Sequence, residues 1–148
     1  MALPFEGLRK TMRTIQNDFI VEVVQAIVEK NSNKIVELNT EKQLFDKGID
    51  SDGDSLGVYS NSYKALKKSL NMPYDRVTLR FSGDFHKSFK IIIGKKEFEI
   101  TATDWKLGIL MQKYGERILG LTNSNVVVFQ EMVIRPELLK EIRKKIKL

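Results

Sequence analysis

VTLRFSGDFHKSFKIIIGKKEFEITAT, residues Val77–Thr103, is the stretch that decides the fold. Two β-prone runs, Lys87–Ile93 and Glu97–Thr103, flank Gly94-Lys95-Lys96, where a glycine able to take φ > 0 marks a hairpin turn. In the second run Phe98, Ile100 and Ala102 alternate with Glu97, Glu99 and Thr101, so one face of that strand is apolar. The first strand, Phe89–Ile93, is nearly continuously apolar, which predicts cover on both of its faces. Two strands alone are marginal in water, so another element has to pack over them. A helix at the N-terminus is the best supplier.

That helix is read from Leu8, Met12, Ile15, Phe19, Val23 and Ile27, which recur every three or four residues and form one stripe. Arg9, Arg13, Gln16, Glu22 and Glu29 lie off it, and the stripe runs on less cleanly through Ile35 and Leu38. Unbroken from Leu8 to Leu38, the helix would be about 45 Å long, longer than a globule of this size is wide. Either Asn31-Ser32-Asn33 breaks it, or part of it projects toward a partner.

With 148 residues, 42% hydrophobic and 30% charged, the chain suits one globular domain. The expected division is a helical N-terminal arm (1–40), an α+β body (41–122) and a C-terminal helical segment (123–148). No apolar run approaches the roughly 20 residues of a membrane helix. MALPFEGLRK has neither the apolar stretch nor the cleavage site of a secretory signal. The absence of cysteine excludes disulfides and thiolate metal sites, and fits a protein made in a reducing cytosol. The net charge is +6, and the last 14 residues carry four of those charges: Arg135, Lys140, Arg143, Lys144, Lys145 and Lys147 against Glu137 and Glu141. Such an end suits nucleic acid or an acidic protein surface, but a solvated helix face with cations near its C-terminus is the plainer reading.

The rest of the chain reads as short helices and loops. Residues 47–57 hold three glycines among Asp50, Ser51, Asp52, Asp54 and Ser55 and form a loop. A calcium loop opening at Asp50 would need glycine and glutamate where Ser55 and Asn61 stand, so these aspartates are read as turn formers. Ser60 caps a helix with Tyr63, Leu66 and Leu70 inward and Lys64, Lys67 and Lys68 outward, ended by Met72-Pro73. Arg76–Arg80 reads as a strand, Ser82-Gly83 as a turn, and Asp84–Lys87 as one helical turn. Asp104 caps a helix carrying Trp105, Ile109 and Met111, stopped at Tyr114-Gly115, with Trp105 assigned to the core. Thr122–Ile134 reads as helix, although Val126–Phe129 favours strand by propensity. Pro136 opens a last helix with Leu138, Leu139, Ile142 and Ile146 apolar.

No catalytic constellation is evident, so no enzymatic activity and no catalytic, metal or cofactor residue is assigned. The single histidine, His86, has Asp84 and Ser88 at i±2, where side chains diverge in a helix; it reads as an exposed histidine in a turn. The glycines fit neither a dinucleotide nor a P-loop spacing. Lys64, Lys67, Lys68, Arg76, Arg80, Lys87, Lys90, Lys95 and Lys96 interleave with Tyr63, Tyr74, Phe81, Phe85 and Phe89. Those are the ingredients of a single-stranded nucleic-acid platform, the alternative function, though Phe85 and Phe89, four apart, also suit one buried face.

Residues Gln43–Thr122 resemble the tail-completion and virion-morphogenesis proteins of tailed bacteriophages. The similarity lies in FDKGIDSDGDSLGVYS with its following SNSYKALKKSL, in Ser82-Gly83-Asp84-Phe85-His86-Lys87-Ser88, and in Ile118-Leu119-Gly120-Leu121-Thr122. The second of these parallels a Thr-Gly-x-Leu-x-x-Ser element, with Ser82 and Phe85 in place of threonine and leucine. The resemblance implies an α+β fold: a long N-terminal helix on a small antiparallel sheet built round the hairpin, with additional short helices and a C-terminal helix. It also implies a structural role without a cofactor, as a ring-forming virion protein at the head–tail junction (neck). Expected partners are further copies and other phage neck, connector or tail proteins, with nonspecific contact to packaged DNA and no membrane. The contacts are expected at the 46–58 loop and the two end helices, and the interface residues named are Asp50, Asp52, Asp54, Tyr59, Arg143, Lys144 and Lys145.

Overall fold

In the computed structural model, residues 2–4, 17–94 and 97–146 are described. Strand β1 (Ala2–Pro4) is followed by α1 (Asn17–Lys30) and α2 (Ser32–Glu37), which runs on as a π-helix over Leu38–Phe45. After a loop come α3 (Asn61–Ser69) and the single turn α4 (Asp84–Lys87), then β2 (Phe89–Ile93) and β3 (Glu97–Ala102). Helix α5 (Leu107–Tyr114) and a 3₁₀ turn (Glu116–Ile118) precede α6 (Asn123–Phe129), a π-turn (Gln130–Ile134) and α7 (Arg135–Ile146). The class is the expected α+β. The stripe positions Leu8, Met12 and Ile15, the flanking Arg9, Arg13 and Gln16, and Lys95, Lys96 and Lys147 lie outside the described residues.

The hairpin is where the alternation puts it. Ile93 faces Phe98, Ile91 faces Ile100 and Phe89 faces Ala102, so each cross-strand pair lies on one side of the sheet. Phe98, Ile100 and Ala102 are buried, and Glu97 and Glu99 are exposed. Gly94 donates to the Glu97 carbonyl at 2.8 Å and closes the turn without a left-handed φ. Among the described residues, cover on both faces of β2 is not found: Ile92 is 50% exposed, and α1 and α2 pack against the other side. Strand β1 adds a third member beside β3, with Leu3 opposite Phe98. Three residues are too few to show a period, so the sequence did not reveal it.

Asn31 breaks the long helix. It is buried at φ −108°, ψ 20°, and its side-chain amide donates to the Ile27 carbonyl at 2.8 Å. Residues 17–45 pack as part of the core instead of projecting from it: Ile20, Val24, Ile27, Val28, Ile35 and Leu44 are buried. The inward face is therefore rotated from the stripe read in the sequence, with Phe19 and Val23 on its flank. Helix α7 runs antiparallel to α1, with Glu137 near Asn31 at one end and Lys145 over the Phe19 ring at the other. Pro136 does not open a separate helix. It sits one residue into α7 behind the π-turn, and the wider turn accommodates a residue with no N–H to give to the i−4 carbonyl. Leu138 and Ile142 are buried, Leu139 is half-buried, and Ile146 is exposed.

Four further expectations are corrected. Arg76–Arg80 is no strand but an irregular segment in which Leu79 takes φ 56°. Helix α3 ends at Ser69, before Met72-Pro73. Asn71 adopts φ 55°, and the Met72 N–H reaches back to the Lys67 carbonyl at 2.9 Å, a Schellman closure. Its buried face differs in part: Lys67 is 1% exposed, while Leu66 and Leu70 are 45% and 50% exposed; Tyr63 is half-buried and Lys68 exposed. Trp105 is no core residue: it precedes α5 and is 78% exposed, with Ile109 beside it also outward. Asp104 does accept from the Lys106 N–H at 2.8 Å, and Gly115 at φ 92° ends the helix as expected.

Candidate functional site, an apolar groove above a buried lysine

Lys67 organises the site. It has no carboxylate partner among the described residues; its ammonium donates to Tyr59 Oη at 3.0 Å, Thr78 Oγ1 at 3.2 Å and the Arg80 carbonyl at 2.8 Å. All three donors are used, which is what a buried ammonium requires. The Tyr59 and Tyr63 rings lie 4.6 and 5.8 Å from the same nitrogen and add the attraction of their faces. Tyr59 Oη also accepts from the Thr78 N–H at 2.9 Å. Burial opposes ionisation of Tyr59, but the hydrogen bonds from Thr78 and Lys67 outweigh it and hold the phenol below its ordinary value of 10.

This network fixes the irregular segment after Val77 from one side, and His86 fixes it from the other. His86 is buried, not exposed as the sequence suggested, and its Nε2 lies 2.9 Å from the Thr78 carbonyl. A carbonyl only accepts, so Nε2 carries the proton and Nδ1 is bare; Nδ1 has no partner among the described residues. Burial pushes the His86 pKa down to about 4, with the charges of Arg80 and Lys67 acting in the same direction. Phe85 and Phe89 stack edge-on at 5.1 Å beneath it and are buried. Gly83, at φ 90°, lets the chain turn from this segment into α4.

Held in this way, Leu79–Gly83 forms one wall of a groove of about 920 Å³. Tyr63 and Leu66 of α3 form the second wall, Leu110 and Tyr114 of α5 the third, and Val58 lies at the rim. Phe81 is 51% exposed and Val58 69%, so the lining is apolar and open to solvent. The charged residues of the lining are cations: Arg80, Lys106 and Lys113. Arg80 pairs with Glu41 at 2.9 Å and Lys106 with Asp104 at 3.5 Å, while Lys113 has no carboxylate partner among the described residues.

The residues expected to make interfaces fall in different places. Asp50 is buried, and its Oδ1 accepts from the N–H groups of Asp52 and Asp54 at 2.9 and 3.0 Å, the turn-forming role read from the sequence. Tyr59 is half-buried and engaged with Lys67. Asp52 and Asp54 are exposed, and Asp52 meets Arg117 at 3.1 Å. Arg143, Lys144 and Lys145 are exposed at the far end of α7, where Lys144 meets Glu141 at 3.4 Å. The loop and the basic end thus belong to separate regions, beside Arg117 and beside Phe19. The nucleic-acid platform is not assembled as drawn, because Lys67, Phe85 and Phe89 face inward.

Sequence reasoning missed the groove because its organising residue is a lysine on what looked like a solvent face. The available signal was the pairing of Leu66 and Leu70 with no apolar residue at position 67. No family model, curated protein or solved structure matches the chain. Among the described residues no helix is long and apolar enough to cross a membrane.

Proposed function

We propose that the chain is a structural subunit of a tailed-bacteriophage virion, placed at the head–tail junction and assembling into a ring through protein–protein contacts. It would be made in the bacterial host cytoplasm and incorporated into the particle beside other neck, connector or tail proteins. The observation that carries this reading is the presence of two separate uncovered apolar surfaces on one folded body. One is the groove with Val58, Leu66 and Phe81; the other is the outer face of α6 and its π-turn, where Val127, Val128 and Met132 are 54%, 46% and 73% exposed. A ring subunit needs two unlike patches, since each copy meets a different surface of the next. The resemblance over Gln43–Thr122 supplies the kind of assembly.

Electron microscopy of virions, together with native mass spectrometry of the purified protein, tests the reading. A closed ring, or a complex with a portal, connector or tail protein, is the expected result. A chain that remains monomeric with every such partner and is absent from mature particles overturns it. The alternative, a single-stranded nucleic-acid module, is disfavoured by the burial of Lys67, Phe85 and Phe89 and by the carboxylates already paired with Arg80 and Lys106.

A further inference from the structure

We propose that the groove between α3 and α5 receives a segment of a different protein in which carboxylates flank apolar side chains, the apolar groups packing on Leu66, Phe81 and Leu110 and a carboxylate meeting Lys113. The inference rests on the reading above of a subunit that acts through protein–protein contacts, and adds the chemistry of one partner.

Charge carries it first. Among the described residues no carboxylate lines the groove; its charged side chains are Arg80, Lys106 and Lys113. Glu41 and Asp104 balance the first two from outside the lining, and Lys113 has no carboxylate partner among the described residues. A further uncompensated charge lies under the floor. Lys67 is buried with neutral acceptors only, and the Tyr59 and Tyr63 rings that face its ammonium both belong to the lining. An occupant that brings negative charge is attracted by both ammonium groups, and one that brings positive charge is repelled.

The pattern along α5 points the same way. Lys106, just before the helix, Leu110 and Lys113 stand at i, i+4 and i+7 and line the groove together. They set two cations about 10 Å apart along the helix with an apolar side chain between them. Carboxylates on either side of an apolar group match that order. Asp104 already answers Lys106, so Lys113 is the stronger anchor.

The rim favours a protein segment over other occupants. Val58, Leu66 and Phe81 are exposed around the groove. A small amphiphile held inside leaves that rim wet, whereas a chain lying along it covers rim and floor together. A nucleic-acid strand needs several free cations for its phosphates, and Arg80 and Lys106 already have carboxylates. A second copy fits poorly: its exposed Val128 and Met132 line a recess with Lys34, Glu37 and Lys42, and Arg135 already holds Glu131 at 3.0 Å.

Fluorescence anisotropy with two labelled amphipathic peptides tests the assignment. Each is about sixteen residues long, enough to form a helix, and both share the same Leu and Phe positions. One carries glutamates beside the apolar face and the other lysines. The glutamate peptide should bind at least about tenfold more tightly than the lysine peptide. Phe81→Ala should weaken it about tenfold, and Leu66→Ala serves as a second variant on the opposite wall. Lys113→Gln should weaken it about two- to fivefold, while Lys144→Gln, the same change of charge at the far end of α7, should leave it nearly unchanged. All four positions are exposed, so the fold, checked by circular dichroism, is expected to survive.

Equal binding of the two peptides overturns the proposal, and so does binding that ignores both Phe81→Ala and Leu66→Ala. A loss with Lys144→Gln as large as with Lys113→Gln shows that net charge alone attracts the peptide, and overturns it too. Binding of dodecanoate that depends on Phe81, with neither peptide bound, assigns the groove to a small amphiphile instead. None of these results decides whether the protein sits in virions; absence from particles removes that reading, while its presence there without peptide binding removes only this one.

Discussion

At the scale of single residues, the polar groups that matter most are inside. Lys67→Met keeps most of the volume but leaves the Arg80 carbonyl and the hydroxyls of Tyr59 and Thr78 without their shared donor. Urea unfolding should show a loss of about 2–3 kcal/mol. Lys67→Ala should cost more, because a cavity is added. Gly48, at φ 62°, lies where an added Cβ would meet the Val77 carbonyl at 2.8 Å. Gly48→Ala should therefore destabilise by about 2 kcal/mol or more, measured the same way. His86 links the fold to pH. The unfolded ring takes a proton near the ordinary 6.5, whereas the folded one resists until about pH 4. The contribution of His86 to stability is therefore full above pH 6.5, falls as the pH drops from 6.5 toward 4, and levels off below that, a loss of about 3 kcal/mol from this group. His86→Gln should flatten that part of the stability–pH curve, and an unchanged slope would show that other groups govern it.

At the scale of elements, legibility followed the locality of the signal. The hairpin was readable because Phe98, Ile100 and Ala102 alternate within six residues, and the caps at Ser60 and Thr122 because each serine or threonine oxygen meets an N–H three residues on. Buried polar side chains were not readable, since lysine, asparagine and glutamine are normally assigned to the surface. Two of them, Asn39 and Gln43, are buried on the π-helix over Leu38–Phe45. Asn39 donates to the Ile118 carbonyl at 3.1 Å and accepts from the Gly120 N–H at 2.8 Å. Gln43 donates to the Gly120 carbonyl and accepts from the Thr122 N–H, both at 2.8 Å, and also binds the Asn125 amide. The two amides act as a ladder along a segment that has no strand partner among the described residues. Gln43→Leu removes the bonds to the Gly120 carbonyl, the Thr122 N–H and the Asn125 side-chain amide together, and a loss of about 3 kcal/mol or more is expected in chemical denaturation. The face of α1 is rotated because its apolar residues are numerous enough to define more than one stripe, and only tertiary packing selects between them. In α3 the cause is different: the buried residue is Lys67, a type that a stripe of apolar residues does not include.

At the scale of the whole molecule, the net charge of +6 includes the buried Lys67 and the exposed Arg143, Lys144 and Lys145 at the end of α7. A gel shift should find weak, sequence-independent DNA binding that is lost by moderate salt, and Phe81→Ala should change it little; tight binding with a strong requirement for Phe81 would favour the nucleic-acid alternative. The amide ladder has a further consequence, one of timing. Its bonds join residues between 77 and 82 positions apart in the chain. Closing so long a loop costs entropy before any bond is gained, so these contacts belong late on the folding route, after the hairpin and the nearby helices have formed. Loss of Gln43 should then leave the refolding rate almost unchanged and appear nearly in full as faster unfolding. The ladder thus acts as a latch, setting how long the folded chain lasts more than how quickly it forms.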